Sequence, residues 1–253
     1  MTAVTPRRSA REPGLVTLVR GDVRELAAIE TAALLAVQVR AQVLGCVLPV
    51  RPGAGLELVR DLAGDCVGRW TAWSDVASGA FADVRGLVIS GHTWRSAARQ
   101  VWPALERCPV YVQHRRPAPH RSVLMAVDSQ GTQVALARRL EPMMERPGMR
   151  ITVAFASMPS WACSLAAALG YPVFVQHPAE DPFPWPLAMR GARGVSVPTT
   201  PLWAIRALAD DLRPDLVVLG LHRHRIREPW LAHPTAWHLS RELRTDVLLC
   251  PVG

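Results

Sequence analysis

The residues best suited to chemistry form one run, His222-Arg223-His224-Arg225-Ile226-Arg227, directly after the apolar stretch 216–219 and Gly220. Guanidinium groups grip anions through paired, charge-assisted hydrogen bonds, so such a run at a strand end is a candidate anion site. The plain alternative is a solvated surface loop. His222 and His224, with His233 and His238 further on, also raise a metal site, because alternate residues of an extended chain share a side. No Cys or carboxylate completes a recognisable ligand set around them, which argues against a metal. A second candidate is Asp128, which closes the apolar run 123–127. It can contact a ligand or cap the following helix near Ser129 and Thr132, and both readings stay open. GxSxG, HExxH, a Cys-His motif and a Walker lysine are all missing; the chain has no Lys. The side chains therefore favour binding over catalysis.

Those side chains need elements that carry them to a common edge. Short apolar runs at 15–19, 43–50, 87–90, 110–113, 122–127, 151–156, 172–176, 216–219 and 247–250 read as buried strands. Helical patterns lie between them at 23–40, 56–68, 95–106, 132–146, 161–169, 202–212 and 236–244. In the first of these, Val23, Leu26, Ala27, Ile29, Ala33, Leu34 and Val37 fall near one face. Short buried strands alternating with helices predict an α/β fold with mainly parallel sheets flanked by helices. Ligands bind such sheets at the C-terminal strand ends, near the point where strand order reverses. Asp128 and Gly220 fall at such ends. The stretch 178–201 is rich in Pro and Trp and reads as an irregular excursion. Trp203, Trp230 and Trp237 raise an aromatic-lined pocket. Arg115-Arg116-Pro117-Ala118-Pro119-His120 reads as a linker, after which the pattern restarts. The predicted organisation is a disordered lead-in over 1–14, a first unit over 15–116 and a second over 117–253.

A chain of 253 residues suits two modest domains. All 29 basic residues are Arg, and Asn is also absent, which points to GC-rich coding in a high-GC bacterium. The net charge of +8 is not organised as an Arg stripe interleaved with aromatics, so nucleic acid is not the expected partner. Five scattered Cys without a CxxC pair read as reduced, buried thiols. The N-terminus lacks a signal-peptide core, and the longest apolar stretch, 165–175, is too short to span a bilayer. A cytoplasmic protein with no membrane partner is expected.

Three stretches of the second half stand in a recognisable order and spacing: Val123-Leu124-Met125-Ala126-Val127-Asp128-Ser129, Pro214-Asp215-Leu216-Val217-Val218-Leu219-Gly220 and Asp246-Val247-Leu248-Leu249-Cys250-Pro251-Val252. Together they resemble the first, fourth and last strands of the universal stress protein family. The first half echoes the last two strands faintly, in 84–91 and Cys108-Pro109-Val110-Tyr111-Val112. The resemblance implies two tandem units.

Nucleotide-binding members of that family use a loop of Gly, two residues, Gly, nine residues, then Gly with Ser or Thr. Its glycines let backbone N–H groups curl toward phosphate. Aligned without a gap, Gly220 keeps the first position, while Arg223, His233 and Pro234 hold the others. Pro234 has no N–H to offer. The resemblance then implies weak or absent ATP binding, no other cofactor, and a likeness to the universal stress protein A branch. In the first half, Gly91 to Pro109 is 18 positions against 26 from Gly220 to Asp246, eight shorter, and Val19-Arg20-Gly21 lacks the Asp. That implies a lost first-half site. The expected ligand-binding residues are Asp128, Gly220, His222, Arg223, His224 and His233, facing an anionic small molecule. The expected function is a non-catalytic, stress-related regulatory or ligand-binding protein. The alternative is an enzyme recruited from this fold in specialised metabolism, acting on an anionic or nucleotide-like substrate. A protein partner, self-association of the two units and a homodimer all fit this reading.

Overall fold

A computed structural model of the chain describes residues 14–48, 55–78, 84–127, 130–144, 148–156, 192–197, 199–222 and 234–252. Its strands are β1 (Gly14–Val19), β2 (Gln42–Val47), β3 (Arg69–Ala72), β4 (Val84–Ser90), β5 (Val110–Gln113), β6 (Ser122–Val127), β7 (Arg150–Ala156), β8 (Arg193–Val197), β9 (Leu216–His222) and β10 (Asp246–Val252). They form one sheet in the order β3-β2-β1-β4-β5-β10-β9-β6-β7-β8. Neighbours are parallel everywhere except at the central β5–β10 pair.

Read inward from either edge, the two halves share one order, and their registers agree. Gly14 pairs with Gln42 as Ser122 pairs with Arg150. Leu44 pairs with Arg69 as Thr152 pairs with Arg193. Val16 pairs with Leu87 as Leu124 pairs with Val217. The two halves of the sheet thus repeat one strand order and register about a pseudo-two-fold axis between β5 and β10.

Helices cover both faces. One face carries α1 (Leu26–Val39), α2 (Leu56–Ala63) and α5 (Gln130–Met144); the other carries α3 (Trp73–Ala77), α4 (Gly91–Val101), α6 (Pro201–Leu212) and α7 (Pro234–Glu242). All six residues of β1 are buried. Burial on both sides is why the strands read as unbroken apolar runs rather than alternating ones. Each large side chain moved from water into this core contributes about 1.5–3 kcal/mol.

The structure corrects several expectations. Residues 69–77 carry a strand and a short helix that periodicity did not flag, since β3 is a four-residue, partly exposed edge strand. The stretch 178–201 is not wholly irregular, because β8 lies within it and pairs with β7. On α1 the buried stripe is Ala28, Ile29, Ala32, Leu35 and Ala36. Leu34 and Val37, expected to face inward, are 46% and 80% exposed, and Val23 is also exposed. The helix is rotated so that its small residues meet the sheet. Cys46, Cys108 and Cys250 are buried and reduced, but Cys66 is exposed. Gly14 belongs to β1 rather than to the lead-in. The elements expected at 161–169 and 172–176, and the lead-in up to residue 13, lie outside the described residues.

At the axis, Trp94 and Trp102 of the first half pack with Trp237 of the second, with centroids 6.0 and 5.4 Å apart along the chain of rings. Trp94 Nε1 donates to Ser240 Oγ at 3.0 Å. Arg95 and Arg241 donate reciprocally to each other's carbonyl oxygens at 3.2 and 3.3 Å. Trp237 is therefore core. Trp203 is 62% exposed, so these two residues share no pocket, and Trp230 lies outside the described residues.

Candidate functional site

The sheet reverses its strand order between β1 and β4, and again between β6 and β9. Those two points are where an α/β sheet opens crevices for ligands. In the second half, Gly220 sits in β9 opposite Cys250, and His222 ends the strand opposite Val252. A Cβ at Gly220 would lie 2.6 Å from Thr132 Cγ2. The glycine is thus required by the close approach of α5 to β9, a role the sequence reading did not assign. Asp128, Arg223, His224, His233 and the side chain of His222 lie outside the described residues. His238 is elsewhere, exposed on α7 with Nδ1 3.6 Å from Glu242 Oε1. Among the described residues, no three His, Cys, Asp or Glu side chains gather in a way that could hold a metal.

In the first-half crevice the ends of β1 and β4 are both described, and the arrangement differs. The shared register sets Ser90, not Gly91, against Gly220, and Val19 against Val127. Ser90 to Val110 is 20 positions and Gly220 to Val247 is 27, so the connection is shorter by seven, where the sequence suggested eight. Nothing separates β4 from α4: Ser90 caps the helix directly, its Oγ accepting from Thr93 N at 3.2 Å. Above β1, the backbone N–H groups of Arg20, Gly21 and Asp22 all point at Glu25 Oε2, at 2.7, 2.9 and 3.0 Å. Gly21, at φ 95°, supplies the left-handed turn that aligns them. Thr93 donates its hydroxyl hydrogen to Glu25 Oε1. Glu25 is 0% exposed. The anion-binding nest of the first half is filled by the protein's own carboxylate. The sequence reading missed Glu25, although Asp22-x-x-Glu25 carries the capping-box spacing that the structure confirms.

Solved structures place this architecture. A universal stress protein from Archaeoglobus fulgidus DSM 4304 matches at a TM-score of 0.57 and 12% identity, covering 96% of this chain and 97% of that one. A protein described as a universal stress protein from Pseudomonas aeruginosa UCBPP-PA14 matches at 0.62 and 19%, covering 95% and 94%. A protein of unknown function from Pseudomonas aeruginosa PAO1 matches at 0.61 and 17%, covering 95% and 93%. The chain has the universal stress protein fold. No protein-family model matches it, and no curated protein matches it. Among the described residues, no helix is long and apolar enough to cross a membrane.

Where the two halves of this universal stress protein fold join, the residues read as a linker form a pinned strap. Asp246 Oδ1 accepts from the N–H groups of His114 and Arg115 at 2.7 and 2.8 Å. Asp215 Oδ2 accepts from those of Arg121 and Ser122 at 2.9 and 3.0 Å, and its Oδ1 meets the Arg115 guanidinium. Tyr111 donates its phenolic hydrogen to Asp246 Oδ2 at 2.6 Å, and His120 Nε2 lies 2.7 Å from the same hydroxyl. Burial alone would raise the Asp246 pKa, but His120, Tyr111 and the two N–H groups outweigh it and hold it below 3.8. Burial, with Asp246 alongside, pushes the Tyr111 phenol well above 10. Burial also lowers the His114 pKa below 6.5, although its Nε2 donates to Ser240 O at 3.1 Å.

Proposed function

We propose that this chain is a non-catalytic, stress-related binding protein that takes one anionic small molecule, at the strand ends of the second unit (residues 117–253). The observation that carries the reading is Glu25. In the first unit (residues 15–116) the crevice at the strand-order reversal already holds a carboxylate on three backbone N–H groups. This supports an anion preference for the equivalent crevice and leaves the first unit no vacancy. In the second unit, β9 ends at His222 and α7 begins at Pro234, so residues 223–233 intervene there, whereas β4 runs straight into α4 in the first unit. Arg223, His224 and His233 fall in that stretch of sequence, Gly220 and His222 precede it, and Asp128 follows β6 in the chain. Arg side chains take over the anion-holding task of glycine backbone, so ATP binds weakly or not at all.

Calorimetry tests the reading, with ATP–magnesium, AMP and inorganic phosphate titrated into protein at tens of micromolar. The expected result is one anion per chain, tight ATP saturation being absent. Arg223→Ala should weaken the anion that binds by about tenfold or more, the equivalent of about 1.4 kcal/mol. Tight ATP saturation, two anions per chain, or an anion affinity indifferent to Arg223→Ala would overturn it.

A further inference from the structure

The junction of the two halves holds a second, unrelated recess. A crevice of about 160 Å³ opens between α1 and the strap. Leu34, Leu35 and Val37 line it from α1, Pro119 lines it from the strap, and Tyr111 and His120 supply polar atoms. The exposed Leu34 and Val37 form its mouth. It lies beside Asp246, the first residue of β10, and so at the opposite end of that strand from the Gly220–Cys250 pair.

Hydrogen-bond accounting sets what this recess offers a guest. An ionised carboxylate only accepts, so the single phenolic hydrogen of Tyr111 goes to Asp246. The phenol oxygen must then accept from His120, which places the ring hydrogen on Nε2. In the neutral ring the lone pair is therefore on Nδ1, an acceptor on a side chain that lines the recess. The His120 side chain is only 7% exposed. A guest that donates to it gains a hydrogen bond there. Both oxygens of Asp246 are already engaged, and its negative charge disfavours an anionic guest. Besides Thr31, whose hydroxyl donates to Ala27 O, and Gln38, the remaining walls are apolar. An apolar cavity of about 150 Å³ admits a benzene ring.

We propose that this crevice is a binding site for a small, neutral, single-ring molecule carrying one hydroxyl, of the phenol class. Its ring lies between Val37 and Pro119, and its hydroxyl donates to His120 Nδ1. Occupancy ties α1 of the first half to the strap that leads into the second.

The test uses the intact protein, labelled with 15N-histidine, and follows the imidazole nitrogens during titration with phenol, benzene or benzoate. Phenol should shift His120 Nδ1 with a dissociation constant on the order of 1 mM, as suits so few atoms. Benzene should bind at least about fivefold more weakly, and benzoate should leave His120 unmoved. Val37→Trp, at an exposed rim position that carries no core packing, should cover the mouth and weaken phenol by about tenfold. Three results would each overturn the proposal: no His120 response at about 20 mM phenol, benzoate or benzene binding as tightly as phenol, or phenol affinity unchanged in Val37→Trp.

Discussion

Glu25 and Asp246 are two buried carboxylates held largely by backbone N–H groups, and they do opposite things for the molecule. Glu25 collects its three N–H donors from residues three to five positions away. It folds back on its own turn and closes the crevice at the top of β1. Asp246 collects its donors from 131 to 135 positions away, in the other half. It ties β5 and the strap to β10, and a crevice remains beside it. A carboxylate satisfied locally plugs a site, whereas one satisfied across a junction organises an interface.

The largest effects should come from removing either group. Glu25→Ala and Asp246→Ala each strand several buried donors and should cost about 3–5 kcal/mol in chemical denaturation. The comparison predicts different shapes for the two transitions. In Asp246→Ala the fluorescence of Trp94, Trp102 and Trp237 at the junction should change before the far-ultraviolet signal does. In Glu25→Ala the two signals should stay coincident. Coincidence in both variants would erase the proposed distinction.

A smaller effect separates Ser90 from its counterpart Gly220. Gly220→Ala drives a methyl into Thr132 and should cost about 1–3 kcal/mol. Thr132→Ser removes the clashing Cγ2 and should recover most of that loss. If the double variant is no more stable than Gly220→Ala, the α5 contact is not what requires the glycine.

The smallest effect is on pH dependence. The folded His114 pKa is depressed, so the unfolded chain takes up the proton first. Stability should therefore be full above about pH 6.5 and begin to fall below it. The Asp246 contribution is present above pH 3.8, its ordinary value, and is lost as pH falls through its lower folded value. Urea midpoints measured from pH 8 to pH 3 should show the earlier decline vanish in His114→Gln and the later one persist. A midpoint independent of pH between 7 and 5 would break the first part.

Much of this was readable beforehand. β5 and β6 fall on the expected residues 110–113 and 122–127, because strands covered on both faces read as nearly continuous apolar runs. The candidate site was readable only as a place. Gly220 was expected at a strand end but lies two residues inside the end of β9, and its hydrogen-for-methyl requirement comes from Thr132, 88 positions earlier in the chain. Likewise the seven-helical-residue spread of Val23 to Val37 suggested an inward stripe, but which residues of α1 meet the sheet depends on how closely its small side chains let the helix approach.

By itself the sequence determined most strands and helices, the Asp22-x-x-Glu25 spacing of a capping box that went unread, and the restart of the pattern after Pro119. Each is written in local periodicity or in residues three or four positions apart, where backbone geometry alone fixes the relation. Only the tertiary structure decided that β5 and β10 join antiparallel into one sheet, that the strap is pinned by Asp215 and Asp246, and that a crevice opens over Tyr111 and His120. The first two depend on partners more than 90 positions apart, chosen by the shape of the assembled sheet, and no short-range pattern records that choice.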